Sequence, residues 1–548
     1  MQEQLVFYDP TQQRRRRLKQ VLAALLLFFG VVSTLFVISL LLVPVLPSLP
    51  AVSAGIRRSL RKPLVHLPSR QTKLRRHLLA RTRTELLEQI ALDERRLRVH
   101  ASLPPSPQVV AAFYTTWQET GLHSLRANAD KLTHLMPEWL HLTRDGKGLD
   151  TYEWNPELVP HNRDVVQIAK QHGLGIVPVL NNAEHARFDP YRVHRLLTDD
   201  RAQAVLALQI RDWLLSNGFH GINVDFENLM PDDYIRLARW LRYLAGVLHA
   251  RGLLVTADIE ANVPVSTMQQ VAASCDFVVL MAYDQHYAGS QPGPIAALPW
   301  TREVLTKALK VVPPEKLALG IGNYAYDWPD ASPPAETLTF QEAILRAQEN
   351  HPDEPPQRVV DFDAGSLYPT FTYADDGGKL HEVWLLDAVT AANQWLLANR
   401  MGLRGGALWL LGSEDPSLWN LFRRASPVVS ISPSLLERIT YPYDIEFVGS
   451  GEILSVASLP REGARTVEVD DSTGICTDEE YVRFPSTFII QRQGFHPKWL
   501  VLTFDDGPSV SYTEQILDEL KRLGVRATFF IIGENAEQYP DIVRRIWE

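Results

Sequence analysis

From Gln108 onward the sequence alternates short β-rich apolar runs with stretches of helical periodicity, and this alternation restricts the fold more than any other feature. Repeated strand–helix units place their strands side by side in a parallel sheet, because each helix carries the chain back to start the next strand in the same direction. Eight runs qualify: Val109–Tyr114, Trp139–Leu142, Gly175–Leu180, Gly221–Phe226, Leu253–Ile259, Phe277–Tyr283, Leu317–Ile321 and Gly406–Leu411. Eight strands over roughly 320 residues predict a (β/α)8 barrel of the TIM type, an α/β fold. The long interval before the last strand holds a helical run at Leu338–Glu349 and strand-like sequence at Leu367–Tyr373, so a small α+β insertion is expected there.

At 548 residues the chain exceeds one ordinary domain. Val21–Val43 is apolar apart from Gly30, Ser33, Thr34 and Ser39. At ~1.5 Å per helical residue it can cross a ~30 Å hydrocarbon core. Arg14–Arg17 and Lys19 precede it, which favours an N-terminus in the cytoplasm and the remainder outside, in a periplasm or at the cell surface, while Arg57, Arg58, Arg61 and Lys62 follow and make the charge asymmetry weak. A cleaved signal peptide ending near Val52-Ser53-Ala54 is the competing reading, but the apolar run exceeds the usual ~7–15 residues of such a core. The expected order is a basic tail at 1–19, a single-pass transmembrane anchor at 20–44, a basic stalk at 45–105 and the barrel at 106–425. A linker with a small β element at 426–497 and an incomplete second α/β domain at 498–548 follow.

A net charge of −9, with no long basic tract beyond residue 100, leaves no footprint for nucleic acid. Cys275 and Cys476 are the only cysteines and fall in separate regions, so neither a disulfide framework nor a cysteine metal site is signalled.

The segment Gly218-Phe-His-Gly-Ile-Asn-Val-Asp-Phe-Glu227 carries the chemistry. Successive strand residues face opposite sides, so Asn223, Asp225 and Glu227 point inward while Ile222, Val224 and Phe226 meet the helices. Polar groups at the C-terminal end of a barrel strand read as catalytic. Two adjacent carboxyls in a partly dry site cannot both ionise cheaply, so one is held protonated. Glycosidic cleavage needs such an acid, to protonate the leaving oxygen. A polar barrel layer or a structural ion pair is the bland alternative for this strand taken alone.

The segment resembles the D-x-x-D-x-D-x-E motif of family-18 glycoside hydrolases. That resemblance implies Glu227 as catalytic acid and Asp225 as the residue orienting the substrate's acetamido group, whose oxygen attacks the anomeric carbon. Met281-Ala-Tyr-Asp284 is similar to the family's M-x-Y-D segment, which implies Tyr283 on the reacting acetamido group and Asp284 and Met281 in the site. Trp409 matches the tryptophan beneath the distorted sugar, and Val383-Trp-Leu-Leu-Asp387 the segment after the insertion. Tyr114, at the end of the first strand, joins Asn223 as a candidate substrate contact. His220 and Asn223 stand where the motif has aspartates; asparagine removes one carboxylate and keeps a hydrogen-bond partner. The resemblance implies N-acetylglucosamine polymers as substrate and no cofactor for the barrel.

Thr503-Phe-Asp-Asp-Gly-Pro508, followed by Ala527-Thr-Phe-Phe-Ile-Ile-Gly533, is similar to the start of the NodB-homology polysaccharide deacetylases. The resemblance implies Asp505 as general base and Asp506 as ligand of a divalent metal, usually zinc in that family, with two histidine ligands expected beyond Glu548. Bacterial proteins with this domain order can continue into a membrane glycosyltransferase. Hydrolysis of β-linked N-acetylglucosamine chains competes with a non-hydrolytic saccharide-binding role within a polysaccharide-modifying membrane protein.

Overall fold

The computed structural model describes residues 108–548 apart from 185–186, 423, 425–430, 442–444, 496–497 and 499, together with Thr84, Leu87 and Glu88. These all lie in one compact unit, His77–Glu548. The tail and anchor expected at 1–44 lie outside the described residues, as does nearly all of the stalk. Among the described residues no helix is long and apolar enough to cross a membrane.

All eight expected strands form. They are β1 (Val109–Tyr114), β2 (His134–Leu142), β3 (Val179–Asn181, preceded by a short piece at Gly175–Ile176), β4 (Gly221–Asp225), β5 (Leu254–Glu260), β6 (Phe277–Met281), β7 (Leu317–Gly322) and β8 (Gly405–Trp409). Each pairs in parallel with its sequence neighbour, and β1 pairs with both β2 and β8, which closes the barrel. Alternation along β1 divides the apolar residues between two cores. Val109, Ala111 and Phe113 fill the lumen with Met136, Val179, Phe277, Val279 and Ala407, while Val110, Ala112 and Tyr114 pack under the helices.

The helix before β4 shows how the chain delivers the carboxylate strand. Asp199 caps Asp200–Asn217 by accepting from the Ala202 N–H at 3.0 Å. Gly218, at φ 67°, ends it in the left-handed conformation that glycine adopts without strain. Phe219 then packs into the core and β4 begins two residues later.

The α+β insertion lies between β7 and β8. Its antiparallel sheet runs Glu336–Leu338, Ala325–Pro329, Leu380–Leu385, Tyr368–Ala374, Asp361–Asp363, with the helix Phe340–Asn350 started by a reciprocal Thr339–Glu342 capping box.

The segment expected as a linker is more ordered than that description. It carries two three-stranded sheets, 438–439 with 463–469 and 476–483, and 445–451 with 453–458 and 488–494. Ile475 and Cys476 join the main core and Ile439 and Tyr481 the core of the insertion, so the first sheet is part of the barrel's packing. Both cysteines are buried as free thiols. At the C-terminus Thr503–Gly507 and Thr528–Ile531 pair in parallel around the helix Thr513–Leu523, followed by helices at Gly533–Gln538 and Pro540–Trp547.

Candidate active site

Two neighbouring strands send acids into one end of the lumen. On β4 the inward residues are Asn223, Asp225 and, just past the strand, Glu227; on β5 they are Thr256, Asp258 and Glu260, since Val255, Ala257 and Ile259 pack outward. The register pairs Asn223 with Thr256 and Val224 with Ala257, so Asp225 comes next to Asp258. Asn223 is fully buried and fixed at both ends: its Nδ2 donates to Asp258 Oδ2 at 2.6 Å and its Oδ1 accepts from Thr256 Oγ1 at 2.7 Å.

Burial dominates the electrostatics of this group. Loss of hydration, reinforced by the charges of Glu260, Asp258, Asp284 and Glu138, pushes the Glu227 carboxyl up to about 8. Burial, with Glu227 and Asp258 nearby, drives Asp225 well above the usual carboxylate range. Asp258 is pushed up to about 8 by burial despite the hydrogen bond from Asn223. Glu260 is raised by burial and moderated by the Tyr234 hydroxyl, which donates to it at 3.3 Å.

The opposite wall is aromatic. Tyr324 and Tyr326 both donate to Asp284 Oδ1, at 2.5 and 3.0 Å, while burial holds the Tyr283 hydroxyl in its protonated form. Trp409 meets Phe113 edge-on, with ring centroids 5.3 Å apart. Room for Tyr283 comes from β7: a Cβ on Gly322 would lie 2.9 Å from Tyr283 Cβ and 2.7 Å from Tyr324 Cε1. These walls enclose a cleft of about 1050 Å³, rimmed by Trp117, Tyr287 and Trp300.

Glu227 and Asp225, together with Met281, Tyr283, Asp284 and Trp409, which the family resemblance singled out, all line this cleft. Asn223 does not: it lies one layer below, occupied by Asp258 and Thr256, and is a support instead of a substrate contact. Tyr114 does not either, because its parity on β1 turns it toward the helices, where it packs beside Gly121. His220 is exposed at the far end of β4 and accepts from the Ile176 N–H at 3.1 Å. Asp258 and Glu260 escaped the sequence reading, although Thr256-Ala-Asp258-Ile-Glu260 repeats the polar-inward alternation of β4 on the very next strand. Tyr324 and Tyr326 carry no such signal, since they reach the site only through the entry of the insertion.

Asp505 and Asp506 lie on or at the end of the strand Thr503–Gly507, and Asp506 takes a left-handed φ of 62°. Among the described residues no group of three or more His, Cys, Asp or Glu side chains could hold a metal ion. The residues present therefore do not fit the divalent metal that the deacetylase resemblance implies.

Residues 109–414 match the family described as Glycosyl hydrolases family 18, and residues 492–548 match Polysaccharide deacetylase. The cortical fragment-lytic enzyme of Bacillus subtilis is 26% identical over 277 residues, covering 48% of this chain and 63% of that protein. This chain thus spans less than two thirds of that relative's length. The crystal structure of the spore cortex-lytic enzyme SleL of Bacillus megaterium superposes with a TM-score of 0.51 at 25% identity, over 59% of this chain and 76% of that one. The C-terminal stretch is 60% identical over 47 residues to a peptidoglycan-N-acetylglucosamine deacetylase of Bacillus cereus, covering 9% of this chain and 17% of that protein.

Proposed function

The chain belongs to glycosyl hydrolases family 18, and from that premise we propose that its cleft cleaves β-linked N-acetylglucosamine polymers with retention, the substrate's own acetamido oxygen acting as nucleophile. The observation that carries the reading is Glu227, which lines the cleft beside Asp225 and whose carboxyl burial pushes up to about 8. A protonated acid there can donate to the leaving oxygen as the glycosidic bond breaks and the acetamido oxygen bonds to the anomeric carbon. Water then attacks that carbon, Glu227 takes its proton, and the acetamido group is released. Asp225 would face the acetamido N–H as positive charge develops on it, with Tyr283 on the same group. Trp409, and Trp117 with 62% of its surface exposed, offer flat apolar faces to pyranose rings.

Among chitin-like, exopolysaccharide and peptidoglycan glycans, the cortex-lytic and peptidoglycan-deacetylase relatives favour a peptidoglycan-type polymer. N-deacetylation of the same polymer is a proposed companion activity, although the described residues do not complete its centre. The apolar run Val21–Val43 supports attachment to a membrane, with the barrel outside the cytoplasm where such glycans are met.

The test is the full chain incubated with N-acetylglucosamine oligomers beside a Glu227→Gln variant. Chain shortening that disappears in the variant supports hydrolysis. Oligomer binding without shortening in either protein would replace it with the saccharide-binding role.

A further inference from the structure

The aspartate that the family motif places two residues before Asp225 is Asn223 here, and an amide does not ionise at ordinary pH. Its two polar ends are already committed, to Asp258 and to Thr256. Asn223 therefore has neither an ionisable proton nor a free polar end to offer Asp225.

The neighbouring strand offers a replacement. Asp225 Oδ1 and Asp258 Oδ1 are both buried, and neither has a hydrogen-bond partner among the described residues. The two residues face the lumen from adjacent parallel strands, two residues beyond the Asn223–Thr256 register pair. The Asn223 amide fixes the other oxygen of Asp258 and so sets the orientation of its carboxyl group. The titratable groups that act on Asp225 are Glu227, Asp258, Glu138 and Glu260, all acids, and Tyr283 and Asp284 complete the group around Glu227. With no cation among them, protonation is what neutralises the pair.

We propose that Asp258 is the positioning carboxylate of this site: it shares one proton with Asp225 and takes that proton when Asp225 must present a carboxylate to the acetamido nitrogen. The inference rests on the hydrolase reading of the cleft. As the acetamido oxygen attacks and positive charge grows on the nitrogen, the Asp225 Oδ1–H bond breaks and an Asp258 Oδ1–H bond forms. The proton returns when water opens the intermediate.

The test compares the full-length protein with Asp258→Asn and with the exchange Asn223→Asp/Asp258→Asn. Asparagine at 258 still accepts the hydrogen bond from Asn223 but cannot exchange a proton. We expect kcat on N-acetylglucosamine oligomers to fall ~100-fold in Asp258→Asn with KM within about twofold, and the exchange to recover most of it. Melting temperature against pH reads the shared proton without turnover. Buried acids titrating near 8 cost stability as pH rises above the ordinary carboxylate range, so the wild type should lose stability toward pH 8 and Asp258→Asn should flatten that loss. An Asp258→Asn protein with wild-type kcat and an unchanged slope overturns the proposal, as does an exchange variant that melts like wild type but stays as slow as Asp258→Asn. A wild type that cleaves nothing would defeat the hydrolase reading, and the melting slope would still decide for or against the shared proton.

Discussion

Asn182 holds the backbone of Glu227 from both sides: its Nδ2 donates to the Glu227 carbonyl oxygen at 3.1 Å and its Oδ1 accepts from the Glu227 N–H at 3.0 Å. The same Nδ2 reaches the Asp189 carbonyl at 3.1 Å, and the side chain is wholly buried at the end of β3. Asn228 then turns the chain away at φ 59°. The catalytic acid is thus clamped at the point where its strand stops. Replacing Asn182 with Ala leaves two backbone groups of Glu227 without these partners, at about 1–3 kcal/mol each. A misplaced acid loses rate more than binding, so kcat in Asn182→Ala should fall ~10–100-fold with little change in KM. Steady-state kinetics beside a thermal melt would show both effects.

The pH profile follows from the same carboxyl. Glu227 acts while protonated, so kcat/KM should fall as pH rises through about 8. Burial is the main cause and the Glu260 charge the next. Glu260→Gln removes that charge, favours ionisation of Glu227 and should move the alkaline limb to lower pH. A limb that stays in place would show that Glu260 does not act on the acid.

The barrel and half of the cleft were legible because their signals are local. The eight strands stand out as short β-rich apolar runs between helical stretches, and the inward set Asn223, Asp225 and Glu227 follows from period-two alternation. Tyr114 was misjudged for the same reason in reverse: strand-end position suggested the site, whereas its parity assigns it to the helix side. Partnerships between strands are different. Nothing in the spacing of β4 shows that Asn223 is bound by Asp258, or that Asp284 is held by two tyrosines from the insertion, because register and chain closure decide which side chains meet.

Gly322 makes the space that Tyr283 and Tyr324 use. A methyl group there would lie 2.7 Å from Tyr324 Cε1 and 3.0 Å from Tyr283 Cγ, and Tyr283 Cβ is anchored to backbone and cannot swing aside. Gly322→Ala should cost ~1–3 kcal/mol of stability through overpacking. It should also reduce kcat about tenfold or more as the tyrosine that faces the acetamido group is displaced. Melting temperature and kcat would fall together, and activity at the wild-type level would show that the ring can shift without consequence.

Arg465 ties the sheet that follows the barrel to the barrel itself. Fully buried, it meets Asp387 Oδ2 at 2.7 Å and Asp415 Oδ2 at 2.9 Å, and Nε donates to the Leu436 carbonyl at 2.8 Å. Both aspartates are helix caps: Asp387 accepts from the Thr390 N–H and Asp415 from the Ser417 N–H, each at 2.9 Å. Arg465→Met fills much of the volume but leaves three buried acids, Asp387, Asp415 and Glu479 at 3.6 Å, without their cation, which should cost ~3–5 kcal/mol. Adding Asp387→Asn and Asp415→Asn removes the two acids nearest the guanidinium and leaves Glu479, while keeping acceptors for both caps, so the triple variant should recover part of the loss. The cluster contributes no side chain to the cleft, and kcat measured well below the melting temperature should stay near wild type in both proteins. Denaturant unfolding of the three chains checks the order: wild type most stable, Arg465→Met least, the triple variant between them.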